Sequence, residues 1–205
     1  MTFPADTAVL YVHGKGGSAA QAEHYRPLFA PAEVVGFDYR SATPWDAADE
    51  FTVKAAALKS AYRRTVLVAE SIGAYFSLNA SISRFFDRAF FISPVVDLER
   101  LIMDMMLWAG VTEPELDAKK VVKTGFGEDL SWNYLQYVRN NRPAAWETPT
   151  QILYGDTDTL QSIETITAFA NRFHAGVTIM HGGEHWFHTP EQMRFLDDWI
   201  RKNIP

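Results

Sequence analysis

The sequence of 205 residues contains no cysteine. Disulfide bonds, a cysteine nucleophile and zinc or iron–sulfur sites built on thiolates are therefore excluded. A basic excess is also missing, because 19 lysines and arginines are set against 25 aspartates and glutamates, which leaves a formal net charge of −6. This balance disfavours nucleic acids and anionic membranes as partners.

Long apolar stretches are absent as well. No run approaches the roughly 20 apolar residues that span a bilayer, so we expect no membrane insertion. The N-terminal stretch MTFPADTAVLYVHG has neither a basic segment nor a long apolar core, so no signal peptide is expected. Hydrophobic residues at 47% and charged residues at 21% are typical of a globular domain. We therefore expect a soluble, cytoplasmic protein, whose oligomeric state the sequence does not indicate.

Two patterns alternate along the chain. Six short apolar runs are typical of strands that are covered on both faces. These runs are residues 8–12, 34–37, 65–69, 89–92, 151–154 and 177–180. Segments with helical spacing are residues 19–29, 46–61, 71–84, 160–173 and 191–202. The alternation predicts one α/β domain over residues 1–205, with a mainly parallel six-stranded sheet flanked by helices.

Residues 95–147 interrupt this alternation. Three helical pieces are predicted there, at residues 98–108, 113–121 and 130–140. One interpretation is that these helices pack on the edge of the sheet. The interpretation we favour is a small helical lid insertion over the carboxyl ends of the strands, because methionine and tryptophan suit adaptable apolar substrates.

Candidate substrate contacts follow from the aromatic and methionine content of these segments. Met106 and Trp108 belong to the predicted lid, and Trp186 follows the last predicted strand. We expect all three to contact the substrate, although the same residues would also be expected in a packing role.

The most unusual junction is the stretch VLVAESIGAYFSL, where an apolar run passes directly into a helical pattern. In the turn G-x-S-x-G a serine stands at a strained tip, and the residues two positions away on either side must be small. Gly73 meets this requirement, and Ala69 replaces the first glycine with a small residue. The junction is therefore either a tight packing turn or a device that presents Ser71. Glu70, before the serine, is either solvated or ion-paired, or it hydrogen-bonds the neighbouring loops.

A serine hydroxyl is a poor nucleophile unless a base assists it, and the base in turn needs an orienting group. The stretch GGEHWFH, after the last predicted strand, supplies two histidines, His185 and His188. The stretch GDTD, after the fifth predicted strand, supplies two carboxylates, Asp156 and Asp158. Serine, acid and histidine thus occur in the chain order that the α/β-hydrolase arrangement requires.

A glycine-rich loop, HGKGG, follows the first predicted strand. Glycine lets the backbone curl closely around an oxygen, and acyl transfer needs fixed N–H donors that face the developing oxyanion. A phosphate-binding role is disfavoured, because the spacing matches neither G-x-x-x-x-G-K-[ST] nor G-x-G-x-x-G. We expect His13 to hold this loop through hydrogen bonds.

With the motifs HGKGG, AESIG, GDTD and GGEHWFH, the sequence resembles the α/β-hydrolase superfamily over nearly its whole length. The resemblance implies a serine hydrolase with Ser71 as the nucleophile and His185 as the base. It also implies an oxyanion hole formed by the backbone N–H groups of Ile72 and Lys15. The chain would be a minimal member, because only a few residues precede the first predicted strand and the leading β-hairpin of the fold is absent.

The resemblance leaves the identity of the acid and of the histidine to be chosen. Asp158 matches the family spacing G-x-x-D and is preferred, whereas Asp156 could support the turn. Asp97 is a further alternative, because some members take the acid from after the fourth strand. His185 is preferred to His188, since the family histidine comes directly after the small residues.

The expected function is hydrolysis of a small ester, thioester or amide through an acyl-enzyme. The expected partner is a small-molecule acyl substrate, and we expect no metal and no cofactor. One alternative is a non-catalytic binding protein of the same fold, and within enzymes a C–C hydrolase or a peptidase is possible. Haloalkane dehalogenases and epoxide hydrolases are disfavoured, because they need an aspartate where Ser71 stands.

Overall fold

A parallel β-sheet forms the framework of the computed structural model, which describes residues 3–204. The strands are β1 (Thr7–Val12), β2 (Glu33–Gly36), β3 (Arg64–Glu70), β4 (Arg88–Ile92), β5 (Val121–Val122), β6 (Leu130–Ser131), β7 (Thr150–Gly155) and β8 (Gly176–Met180). Six of them form one sheet in the order β2-β1-β3-β4-β7-β8, and all neighbouring pairs are parallel. The predicted six-stranded sheet is confirmed.

Helices separate the strands. They are α1 (Ala22–Phe29), α2 (Pro44–Ala61), α3 (Ile72–Asn79), α4 (Leu98–Ala109), α5 (Glu113–Lys119), α6 (Trp132–Asn140), α7 (Ile163–Phe173) and α8 (Pro190–Asn203). Side-chain caps fix several of their first turns. Thr189 caps α8 by accepting a hydrogen bond from the N–H of Gln192, whose side chain returns to the backbone of Thr189. None of the helices in residues 3–204 combines the length and the apolar character that a membrane span requires.

Several helices are shorter than their patterns predicted. The helix expected over residues 71–84 ends at Asn79, because Ser81 adopts a positive φ of 53°, and a 3₁₀ turn follows at Ser83–Phe85. The helix expected over residues 160–173 begins at Ile163, because Ser162 caps its first turn. These corrections leave the order of elements unchanged.

Both faces of the sheet are covered by apolar side chains. Adjacent residues of a strand point to opposite faces, and Phe90 and Phe91 of β4 illustrate the result. Phe90 packs edge-on against Phe29 of α1 and Trp199 of α8. Phe91 packs against Trp146 and against Phe169 of α7. This two-sided burial explains why the strands read as continuous apolar runs.

Residues 97–144 form a compact unit of their own, apart from the unit of residues 3–96 and 145–204. It holds α4, α5 and α6, and a two-stranded antiparallel pair of β5 and β6 that the sequence did not predict. The helix expected over residues 113–121 ends at Lys119, because Lys120 has a positive φ of 63°. Likewise, the helix expected from residue 130 begins at Trp132, because Leu130–Ser131 is β6. The role of this unit as a lid stays a prediction.

Candidate active site

Ser71 forms the whole connection between a strand and a helix. Strand β3 ends at Glu70, and α3 begins at Ile72. Ser71 has φ 49° and ψ −123°, a backbone conformation that a residue other than glycine adopts only under strain. Its N–H donates to the carbonyl of Ile92, and its own carbonyl accepts from the N–H of Val95, so the end of β4 and the segment after it hold the turn.

Small residues around Ser71 permit close backbone packing. A Cβ atom on Gly73 would lie 2.5 Å from the carbonyl oxygen of His13, and one on Gly14 would lie 3.0 Å from the Cβ of Ser71. Ala69, where the G-x-S-x-G pattern has glycine, is fully buried and pairs with Val12 across the sheet. The glycine-rich loop after β1 therefore packs directly against the serine turn.

A chain of hydrogen bonds runs from Ser71 to an aspartate. The Oγ of Ser71 lies 2.8 Å from Nε2 of His185, and Nδ1 of His185 lies 2.7 Å from Oδ2 of Asp158. A carboxylate only accepts hydrogen bonds, so Nδ1 carries the proton and Nε2 presents its lone pair to the serine hydroxyl. The Asp158 side chain is fully buried, and that of His185 is 21% exposed.

The loops after β7 and β8 lie against each other, which brings the acid to the histidine. A Cβ atom on Gly155 would lie 2.3 Å from the carbonyl oxygen of Gly183, a distance that only glycine tolerates. Thr157 donates to the same carbonyl through its N–H and its hydroxyl. Asp158 is fixed from the other side, because its Oδ1 accepts from the N–H of Leu160 at 2.7 Å.

Comparison with known proteins is informative only at the level of structure. No family model and no curated protein matches the sequence. The chain is similar to Est1E from Butyrivibrio proteoclasticus, with a TM-score of 0.73 and 14% identity over 96% of this chain and 85% of that one. It is also similar to mouse alpha/beta hydrolase domain-containing protein 10, with a TM-score of 0.74 and 16% identity over 95% of this chain and 88% of that one.

The chain has the α/β-hydrolase fold. In this fold the serine elbow, the acid and the histidine each follow a strand, in that order along the chain. Here Ser71 follows β3, Asp158 follows β7 and His185 follows β8. The carboxyl ends of parallel strands share one edge, which explains how residues up to 114 positions apart come into contact.

The two other candidate acids have different contacts in this α/β-hydrolase fold. Asp156 lies 2.8 Å from Nδ1 of His181 and accepts from the N–H of Gly182 at 2.7 Å. It therefore supports the turn after β8. Asp97 accepts from the N–H of Arg100 at 2.9 Å and caps helix α4.

The other candidate histidines also have structural contacts. His188 stacks on Trp186 with ring centroids 4.6 Å apart, and its Nδ1 lies 2.8 Å from the carbonyl of Trp186. His13 is buried, and its Nδ1 lies 2.8 Å from the carbonyl of Gly14. The His13 ring stacks on the Tyr39 ring with centroids 4.3 Å apart, and the Tyr39 hydroxyl donates to the backbone carbonyl of His13. These contacts hold the loop after β1.

A cavity of about 750 Å³ adjoins Ser71. The loop after β1 contributes Lys15 and its neighbouring glycines, and the loop after β8 contributes His185 and Trp186. Trp186 is 67% exposed. Ile72 starts α3 beside the serine, where helix N–H groups lack intrahelical acceptors. The size and the mixed lining are those of a small-molecule site.

Two of the predicted substrate contacts belong to the compact unit of residues 97–144. Met106 is buried, and Trp108 packs edge-on against Phe126. Their contact with a substrate stays a prediction. Within residues 3–204 no three His, Asp or Glu side chains gather in a way that would hold a metal ion.

The sequence did not identify several other residues that line the cavity. Those residues come from α1, from the end of β3 and from α8, and they include Tyr25, Glu70, Met193 and Leu196. The hydroxyl of Tyr25 donates to Oε1 of Glu70 at 2.5 Å. Burial raises the pKa of the Glu70 carboxyl, and the hydrogen bond from Tyr25 only partly offsets this effect. The contact joins residues 45 positions apart, so no local pattern could have revealed it.

Proposed function

We propose that this chain is a serine hydrolase that cleaves a small ester, thioester or amide through an acyl-enzyme. The observation that carries the proposal is the hydrogen-bonded chain from Ser71 Oγ through His185 to Asp158, at the wall of a cavity. A strained serine, an imidazole with its free lone pair toward that serine, and a buried carboxylate are the parts that nucleophilic catalysis requires.

In the first step, Ser71 Oγ attacks the carbonyl carbon of the substrate while its proton passes to Nε2 of His185. A C–O bond forms, and the carbonyl oxygen takes the negative charge. Asp158 accepts the Nδ1 hydrogen bond, which holds the imidazole in the required tautomer and stabilises the imidazolium.

The negative oxygen needs donors that are already in place. Our proposal assigns this role to the backbone N–H groups of Ile72, at the start of α3, and of Lys15, in the loop after β1. The close approach of Gly14 to Ser71 supports the assignment, because it brings the loop backbone to the serine. Fixed donors of this kind typically contribute a factor of about 10² to 10³ to kcat.

The tetrahedral intermediate collapses when His185 returns its proton to the leaving group and the bond to that group breaks. Water then attacks the acyl-enzyme, with Nε2 taking a proton from the water. The carboxylic acid leaves, and Ser71 recovers its proton. The cycle consumes one water molecule and needs no redox partner.

Replacement of the nucleophile tests the proposal. With p-nitrophenyl acetate as substrate, we expect Ser71→Ala to lower kcat by at least about 10³-fold, because the acyl-enzyme can no longer form. Ser77→Ala is a matched control, since Ser77 is a buried serine whose hydroxyl bonds the carbonyl of Gly73. Equal turnover by wild type and Ser71→Ala would contradict the proposal. If the chain were a binding protein of the same fold, neither wild type nor Ser71→Ala would turn over the ester.

A further inference from the structure

Glu70 is a carboxylate next to Ser71 that no cationic side chain neutralises. It lines the cavity and accepts one hydrogen bond, from the Tyr25 hydroxyl. Among residues 3–204 no nitrogen of a Lys, Arg or His lies within 4.0 Å of its carboxylate. Tyr25 donates to Oε1, and among residues 3–204 no hydrogen bond of good geometry reaches Oε2.

The other groups that act on Glu70 form no ion pair with its carboxylate. They are the phenol of Tyr11 and the imidazoles of His24 and His13, and both imidazoles are bonded elsewhere. His24 lies 2.8 Å from Asp197, and His13 lies 2.8 Å from the carbonyl of Gly14. The Tyr11 hydroxyl is fully buried and faces Glu70, although it makes no hydrogen bond of good geometry. A partly buried carboxylate without an ion-pair partner is poorly compensated for its desolvation.

The remainder of the cavity wall defines what can reach this carboxylate. Apolar residues that line the same cavity include Ala20, Phe187, Met193 and Leu196, and the polar Gln21 and His24 line it as well. Lys15 lines the cavity as well, but it does not pair with Glu70. A ligand that matches both the apolar lining and the Glu70 carboxylate carries a small apolar body and a cationic hydrogen-bond donor.

We infer that Glu70 is a specificity residue that binds the protonated amine of an amino-bearing acyl substrate while Ser71 attacks its carbonyl group. This inference rests on the proposed function, because it concerns the substrate of the same serine. An ammonium group donates to Oε2 and supplies the ion-pair partner that Glu70 lacks. Charge-assisted hydrogen bonds of this kind are stronger than neutral ones.

Pairs of esters of equal shape test the inference. The p-nitrophenyl ester of L-alanine is compared with that of isobutyrate, and the ester of β-alanine with that of butyrate, at about pH 6.5, where the amines are protonated. In each pair an ammonium group replaces a methyl group. For at least one pair we expect kcat/KM to favour the ammonium ester by about ten- to a hundredfold. Wild-type protein that prefers the neutral ester in both pairs would overturn the inference.

The variant Glu70→Gln tests whether this residue causes the preference for the ammonium ester. The amide keeps the shape of the side chain and removes its charge, so we expect the ratio of the two kcat/KM values to fall toward one. Glu23→Gln makes the same change on the exposed side chain of an α1 residue outside the cavity, and the ratio should stay at the wild-type value. A ratio that Glu70→Gln leaves unchanged would overturn the inference.

Binding without turnover separates this inference from the proposed function. In the Ser71→Ala background, n-butylammonium should raise the unfolding temperature more than 1-butanol does, because only the ammonium pairs with Glu70. The difference should vanish in Ser71→Ala/Glu70→Gln. Full turnover by Ser71→Ala would refute the serine mechanism, whereas equal effects of the two ligands would refute the role of Glu70.

Discussion

Ser71 occupies a backbone conformation that most residues avoid, and the structure around it explains why the strain persists. Hydrogen bonds from its N–H and to its carbonyl fix the turn, and Gly14 and Gly73 leave room for the loop after β1 to pack on it. The sequence motif predicted this turn because the crowding around the serine requires small residues two positions away on either side, which are close in the sequence. Glu70 could not be interpreted in the same way, since its partner Tyr25 lies on another element.

The two aspartates after β7 contact different histidines, and this difference leads to a prediction. Asp158→Asn should lower kcat for p-nitrophenyl acetate by about 10³- to 10⁴-fold, because an amide no longer selects the Nδ1–H tautomer of His185. The matched control Asp156→Asn should change kcat by no more than about threefold, because Asp156 contacts the turn at His181 instead. Comparable losses in both variants would contradict the assignment of the acid.

Among the secondary-structure elements, the strands were predicted more accurately than the ends of the helices. The strands are apolar on both faces, so their signal is continuous and local. Helix ends depend on single residues, such as Ser81 and Lys120, whose positive φ angles the pattern does not reveal. The pair β5 and β6 was missed because each strand has two residues, too few to show a period.

Helix α3 reaches β1 closely because position 73 has no side chain. A Cβ atom there would lie 2.5 Å from a backbone oxygen of His13, so we expect Gly73→Ala to destabilise the protein by about 1–3 kcal/mol. Urea denaturation measures this change in the free energy of unfolding.

Gly125→Ala is the control for that prediction, because a Cβ atom at position 125 would meet no atom within 4 Å. We expect its free energy of unfolding to stay within about 0.5 kcal/mol of wild type. Equal stability of Gly73→Ala and Gly125→Ala would show that the close packing at the elbow is not required.

At the scale of the whole molecule, burial and hydrogen bonds shift the pKa values of different carboxyl groups in opposite directions. At Asp87, burial opposes ionisation, but hydrogen bonds from the Thr65 N–H and Lys59 outweigh it and lower the pKa below the ordinary 3.8. Its stabilisation is therefore present above pH 3.8 and is lost as the pH falls through the folded-state value. Glu70 has a raised pKa, so its contribution is present at low pH and is lost as the pH rises above 4.5.

This difference predicts how Asp87→Asn behaves. At about pH 6 the variant should unfold at a lower temperature than wild type, because the hydrogen bonds to the ionised carboxylate are lost. The gap should narrow as the pH falls below 3.8 and through the folded-state pKa, where the wild-type carboxyl becomes protonated. Thermal unfolding at a series of pH values measures the gap, and a gap that stays constant over this range would contradict the lowered pKa of Asp87.

The proposal that Ser71 is an activated nucleophile can be tested by labelling the protein with a fluorophosphonate probe. We expect a single adduct, located on Ser71 by mass spectrometry of the peptides, and much slower labelling in Asp158→Asn, because the oriented imidazole of His185 activates the hydroxyl. No adduct, or an adduct at any other residue, would contradict the account.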